Sequence, residues 1–179
     1  MKVRDDIRDQ VRTRAQFACE YCGVHETDSG GLLTIDHFRP VGKGGDDSVE
    51  NLVYCCFRCN QYKRDYWPES PSDPLLWNPR QERAAAHMIE LDDGRLEALT
   101  ERGVFSISLL HLNRPALVAY RQKKRRALED TEWLERYRQL AAVLEQLVDQ
   151  HVQLMRQQRA LLAEQRELLQ RLFGKSDLG

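Results

Sequence analysis

A chain of 179 residues, 41% hydrophobic and 31% charged with a net charge of −1, can bury one modest core and carry an extension. No run approaches the roughly eighteen apolar residues that span a bilayer, and the opening MKVRDDIRDQVRTR lacks the apolar stretch of a signal peptide, so no membrane and a cytoplasmic location are expected. The chain has no global basic excess, so any nucleic-acid binding must come from local clusters.

Residues 1–67 hold the chemistry. Asp5 or Asp6 is placed to cap a first helix through Ala15, with Ile7 and Val11 on one face. Two cysteine pairs follow, Cys19-Glu20-Tyr21-Cys22 and Cys56-Phe57-Arg58-Cys59, separated by 33 residues. A two-residue gap lets both thiolates of a pair point at one tetrahedral ion, so Cys19, Cys22, Cys56 and Cys59 read as a structural Zn²⁺ site. Cys55 is a fifth candidate for four positions, expected to pack as a small apolar residue on a strand. Between the pairs, Leu32–Ile35 is a β-prone run ending at Asp36-His37. The glycine-rich loop 41–50 leads to a second strand, Leu52–Cys55, and a helix is expected to open near Asn60.

Residues 68–114 begin with Pro68, Pro71, Pro74 and Pro79, which exclude a continuous helix. Met88–Leu91 and Arg95–Leu99 flank Asp92-Asp93-Gly94, a hairpin signal, and a short helix is expected from Val104 to His111. His87 and His111 have no spaced partner and read as ordinary packing or surface histidines.

Residues 115–173 read as one helix, opened by Pro115 and free of glycine and proline until Gly174; residues 174–179 are expected to form a flexible tail. Trp133, Leu140, Leu147, Leu154, Leu161 and Leu168 share a heptad column, and Leu134, Ala141, Val148, Met155, Leu162 and Leu169 share a second. A third column, Tyr137, Leu144, His151, Gln158, Gln165 and Leu172, is half polar. The helix is roughly 85 Å long, too long for so small a domain to cover. Self-association or a protein partner is expected along this coiled-coil stripe. The basic run Lys123-Lys124-Arg125-Arg126, with Arg121, reads as a solvated face or as an extended nucleic-acid track.

Read together, Cys19-Glu20-Tyr21-Cys22, Ile35-Asp36-His37-Phe38-Arg39-Pro40, Gly44-Gly45, Asn51-Leu52-Val53 and Cys56-Phe57-Arg58-Cys59-Asn60 resemble the HNH endonucleases, the ββα-metal nucleases. His37, Asn51 and Asn60 make this the His-Asn-Asn variant, with spacings of fourteen and nine residues. The resemblance covers about the first third of the chain. A weaker one, from Trp77-Asn78-Pro79-Arg80 to Leu112-Asn113-Arg114-Pro115, is to an extension in some small bacterial HNH proteins.

The resemblance implies a zinc-stapled ββα core, and with the small mixed middle segment carrying a hairpin and the long C-terminal helix read above the expected fold class is α+β. The resemblance also implies a metal-dependent endonuclease acting on DNA, with RNA left open. His37 would activate water, a role that suits an imidazole titrating near about 6.5. Asp36 and Asn60 would hold Mg²⁺ or Mn²⁺, hard cations that prefer oxygen, and Asn51 would brace the loop and orient His37. Arg39, Arg58, Lys63 and Arg64 flank the site as candidate phosphate contacts or solvated charges. The alternative is a non-catalytic zinc-dependent nucleic-acid-binding module tethered by a coiled coil. An HNH head with a helical docking arm further suggests the nuclease effector of a bacterial antiviral defence or mobile-element system.

Overall fold

The computed structural model describes residues 3–173, so the expected tail at 174–179 lies outside the described residues. Contacts divide the chain into two compact units, Met1–Arg125 and Arg126–Gly179.

In the first unit, α1 (Asp5–Arg14) buries Val11 and packs on β2 (Leu52–Cys55). Its N-cap is Arg4, whose side chain pairs with Asp6 and makes no capping bond, and Asp5 and Asp6 lie in the first turn. They therefore face the positive end of the helix dipole rather than cap it, a correction of one residue. A four-residue helix, α2 (Glu26–Ser29), escaped the sequence reading because one turn carries no periodicity. β1 (Thr34–His37) pairs antiparallel with β2, Asp36 opposite Val53 and His37 opposite Leu52. The strand starts two residues later than expected: Leu32 is exposed and outside the ladder, whereas Asp36 and His37 are in it. α3 (Phe57–Lys63) completes the ββα unit and begins earlier than expected, with Cys56 at its N-cap accepting from the Cys59 N–H.

The middle segment is part of the same core. Trp77, Met88, Leu110 and Leu112 are buried with Val11, Tyr54 and the cysteines in one cluster. β3 (Met88–Glu90) and β4 (Leu96–Ala98) form the expected hairpin. The Asn113 amide extends β4, accepting from Leu96 N–H at 2.7 Å and donating to Leu96 C=O at 2.8 Å. α4 (Glu101–Leu109) starts three residues before the expected Val104, capped by Thr100. Gly103 lies within that helix because a Cβ there would meet the His87 carbonyl oxygen at 2.0 Å. α5 (Pro115–Phe173) leaves the core with Arg121 buried, its guanidinium donating to the carbonyls of Gly94 and Leu112. Arg125 reaches the carbonyls of Leu91 and Asp92. These two members of the basic cluster thus tie the helix start to the hairpin, while Lys123 and Lys124 stay exposed.

Residues 126–173 of α5 form the described part of the second unit, with Trp133 stacked on Tyr137 and apolar side chains such as Leu140, Leu147 and Leu161 more than half exposed. No helix among the described residues is long and apolar enough to cross a membrane.

A charge network joins α1, α2 and β2. Arg12 makes two 2.7 Å bonds to the Glu26 carboxylate, the Tyr54 hydroxyl donates to the same carboxylate, and that hydroxyl accepts from Leu33 N–H at 3.0 Å. The bond from Arg12, aided by Tyr54, lowers the Glu26 carboxyl from 4.5 to about 2. A carboxyl depressed on folding contributes stability that is complete above its unfolded value and lost as pH falls through its folded one. Glu26→Gln is expected to cost about 2 kcal/mol at neutral pH. In acid titrations followed by circular dichroism, its deficit against wild type should shrink between pH about 4.5 and about 2.

Candidate active site and metal centre

The sulfurs of Cys19, Cys22, Cys56 and Cys59 all lie within 4.8 Å of one another. Each pair forms a tight knuckle: Cys22 N–H points to Cys19 Sγ at 3.4 Å, and Cys59 N–H to Cys56 Sγ at 3.5 Å. Bonds among the sulfurs hold Cys56 far down as a thiolate and push Cys59 far up. Four sulfurs this close cannot all ionise unless a cation sits among them, and a soft tetrahedral donor set of this kind fits Zn²⁺. Cys55 takes no part: it is buried on β2, and burial raises its thiol.

Two elements of this centre carry no signal in the sequence. Arg114, from the middle segment, places Nη2 3.9 Å from both Cys56 Sγ and Cys59 Sγ, while its Nη1 is held by the Leu110 and His111 carbonyls. Glu20, inside the first knuckle, accepts from Tyr54 N–H at 2.7 Å and pairs with Arg14 and Arg80, so it ties the cysteine loop to α1, β2 and the middle segment. Arginines far off in sequence carry no spacing signal, which is why neither contact was legible.

Asp36 and His37 end β1, and α3 packs against that strand. Asp36 is nearly buried, and Lys63 Nζ lies 3.1 Å from its Oδ2 while donating to the His37 carbonyl at 2.8 Å. The pair is off line: Oδ2 has no aligned hydrogen bond among the described residues. Burial pushes the Asp36 carboxyl up, and the Lys63 charge works against that shift. Asn60 precedes Lys63 by three residues, about one turn back on the same face of α3. Its side chain is half-buried and makes no hydrogen bond among the described residues.

His37 Nε2 lies 2.7 Å from Asp47 Oδ1. A carboxylate there selects the tautomer with hydrogen on Nε2, which leaves Nδ1 a free acceptor. Asp47 was not among the residues singled out from sequence; it is one of two adjacent aspartates in a loop, and only the fold tells them apart. Asn51 fixes that loop, its Oδ1 accepting from Arg39 N–H at 2.8 Å and its Nδ2 donating to the Asp46 and Arg39 carbonyls at 2.8 and 3.1 Å. Gly45 is required at the same turn, since a Cβ would meet the Arg39 carbonyl oxygen at 1.8 Å.

The four basic candidates part company. Arg58 and Arg64 are exposed, and Arg39 is exposed with its guanidinium over Trp67 and its Nε donating to the Lys43 carbonyl. Lys63 is fully buried on Asp36 and cannot reach a phosphate, which corrects its placement among the nucleic-acid contacts.

Zinc contributes on the order of 10 kcal/mol to small folds of this kind. Cys59→Ser should therefore abolish stoichiometric zinc and lose far-UV helical signal from the first unit. Arg114→Ala should retain the fold but raise the zinc dissociation constant about ten- to a hundred-fold in a competition titration with a chromophoric chelator.

Residues 19–65 match the family model described as HNH endonuclease. No significant match was found among curated proteins or among solved structures. The matched residues run from the first zinc-type cysteine past Lys63, with β1 and β2 between the two knuckles and α3 starting at the second. The chain thus carries, at residues 19–65, a segment that matches the HNH endonuclease model and contains the four-cysteine cluster.

Proposed function

We propose that this protein is a metal-dependent endonuclease that hydrolyses phosphodiester bonds in DNA, with His37 as general base. An HNH segment implies a nuclease or nucleic-acid-binding role. The reading of catalysis rests above all on the His37–Asp47 pair. A binding module has no need of an imidazole with one nitrogen held by a carboxylate and the other left to accept a proton.

In this reading Nδ1 of His37 takes the proton of the attacking water. Asp47 keeps the ring oriented and stabilises the imidazolium that forms. Asn51 keeps Asp47 in reach by closing the loop between the strands. Asp36, through the oxygen not turned to Lys63, and the amide oxygen of Asn60 would hold a hard divalent cation such as Mg²⁺ or Mn²⁺. When bound, such an ion supplies Lewis-acid polarisation of the phosphate and eases departure of the leaving oxygen. Arg58, Arg64 and Arg39 supply exposed positive charge for the backbone, and none of these contacts reads sequence.

The exposed stripe of residues 126–173 supports self-association or docking on a partner. A nuclease head bearing such an arm suits an effector subunit of a bacterial defence system, in which a second protein senses the invader. Five free cysteines suit a reducing compartment such as the cytoplasm.

With supercoiled plasmid as substrate, cleavage should require added Mg²⁺ or Mn²⁺. His37→Ala should lower kcat by about a hundred-fold or more with zinc content unchanged. Asp47→Ala should lower kcat about ten-fold with KM unchanged, and Asp47→Glu should recover part of the loss. A wild type without metal-dependent cleavage of any nucleic acid would leave the binding module as the answer. Sedimentation equilibrium should give a mass above the 20.9 kDa monomer; a monomer at micromolar concentration would rule out self-association.

A further inference from the structure

A cavity of about 380 Å³ lies beside the residues just described and shares Arg39 and Asn51 with them. It is bounded on one side by the Phe38–Asn51 loop and on the other by the middle segment. Its volume falls in the range of small-molecule sites. Part of its wall is aromatic: Phe38, Tyr66 and Trp67. The Trp67 ring stands edge-on to Phe38 at 6.1 Å, and the Tyr66 ring is held against Phe105 at 4.9 Å, its hydroxyl tied to the Pro74 carbonyl. Leu75, on the same wall, leaves 46% of its surface in water.

Much of the rest of the lining is polar: Asp46, Glu50, Gln81 and the paired Glu82 and Arg102 contribute to it, and two further groups offer donors. Asn78 is 9% exposed, and its Oδ1 accepts from Arg80 N–H at 2.9 Å, but its amide nitrogen has no partner among the described residues. At the rim, Arg39 lies 5.2 Å above the Trp67 ring; its Nε is used by the Lys43 carbonyl, and both Nη nitrogens are unpartnered. The cavity therefore offers aromatic surface, one amide donor for a ring carbonyl or ring nitrogen, and at its rim a guanidinium fork suited to a phosphate.

We propose that the cavity receives an unstacked nucleobase, so that this protein engages single-stranded or locally opened nucleic acid. Its location supports this occupant. Phe38, which lines the cavity, follows His37 directly, and Asn51, which also lines it, closes the loop that carries Asp47. The proposal rests on the nuclease reading for the source of the base, but the cavity can be tested without cleavage.

The test titrates the full-length protein, with no divalent ion added, against a short single-stranded oligodeoxynucleotide and an abasic strand of the same length, following tryptophan emission. Wild type should bind the base-bearing strand about ten-fold or more tightly, with quenching that disappears in Trp67→Leu. Asn78→Asp keeps the acceptor for Arg80 N–H and removes the donor; it and Trp67→Leu should each lose most of the preference, read as the ratio of the two affinities, while keeping wild-type circular dichroism. Equal affinity of wild type for the two strands, or a preference retained by both variants, would overturn the proposal. Plasmid cleavage without base preference would sink the cavity alone. Base preference without metal-dependent cleavage would sink the nuclease alone.

Discussion

Four sulfurs crowded within 4.8 Å set the terms for the rest of the first unit. Left to themselves they cannot ionise together, because each thiolate raises the cost of the next. A divalent cation at their centre removes that conflict and leaves two negative charges in excess, for which Arg114 is placed 3.9 Å from two of the sulfurs. The arginine comes from the middle segment, which the sequence reading treated as chemically silent. Its guanidinium also lies over the Tyr62 ring of α3, so one side chain holds helix, cysteines and middle segment together. Because Cys56 is the N-cap of α3, whatever fixes the sulfurs fixes the origin of the helix that carries Asn60 and Lys63.

Charge is handled differently on the two sides of the proposed active site. Asp36 is nearly buried and balanced by a fully buried ammonium, an arrangement whose desolvation cost is repaid only by good geometry. The geometry here is partial: Lys63 spends its aligned hydrogen bond on the His37 carbonyl and meets Asp36 off line. That leaves the carboxylate neutralised but not saturated, the state in which an oxygen ligand still has something to offer a cation. Asp47, by contrast, is partly exposed and spends its oxygen on the imidazole. One acid suits holding a charge, and the other suits orienting a base.

Much of this was legible in the residue order, and what was not has physical causes. Cysteine spacing, the Asp36-His37 dipeptide and the Leu52–Cys55 run are local signals, and the structure places β1, β2 and α3 around them. Helix starts were misplaced by a few residues, since Cys56 caps α3 with a sulfur and Gly103 is used for close approach rather than as a stop. Lys63 looked like a surface cation because its sequence neighbours are polar; only the packing of α3 on β1 turns it inward. Asp47, Arg114 and Glu20 matter through contacts with residues 10, 58 and 60 positions away, and no pattern in one sequence encodes such pairs.

The long helix poses a different constraint. At about 100° per residue, the Leu140 and Ala141 columns lie on either side of the column of Leu144, His151, Gln158 and Gln165. The polar row therefore runs along the centre of the apolar stripe, not at its margin. Any surface that covers Leu147, Leu154 and Leu161 must also receive His151 and Gln158, and a purely apolar groove would leave their polar atoms unpaired at a cost of about 1–3 kcal/mol each. In the proposed assembly a second copy meets that demand, because a parallel in-register pairing sets His151 against His151 and Gln158 against Gln158. An antiparallel pairing centred on Gln158 sets His151 against Gln165 and Leu144 against Leu172. Both align polar with polar, so the row restricts register more strongly than it restricts direction.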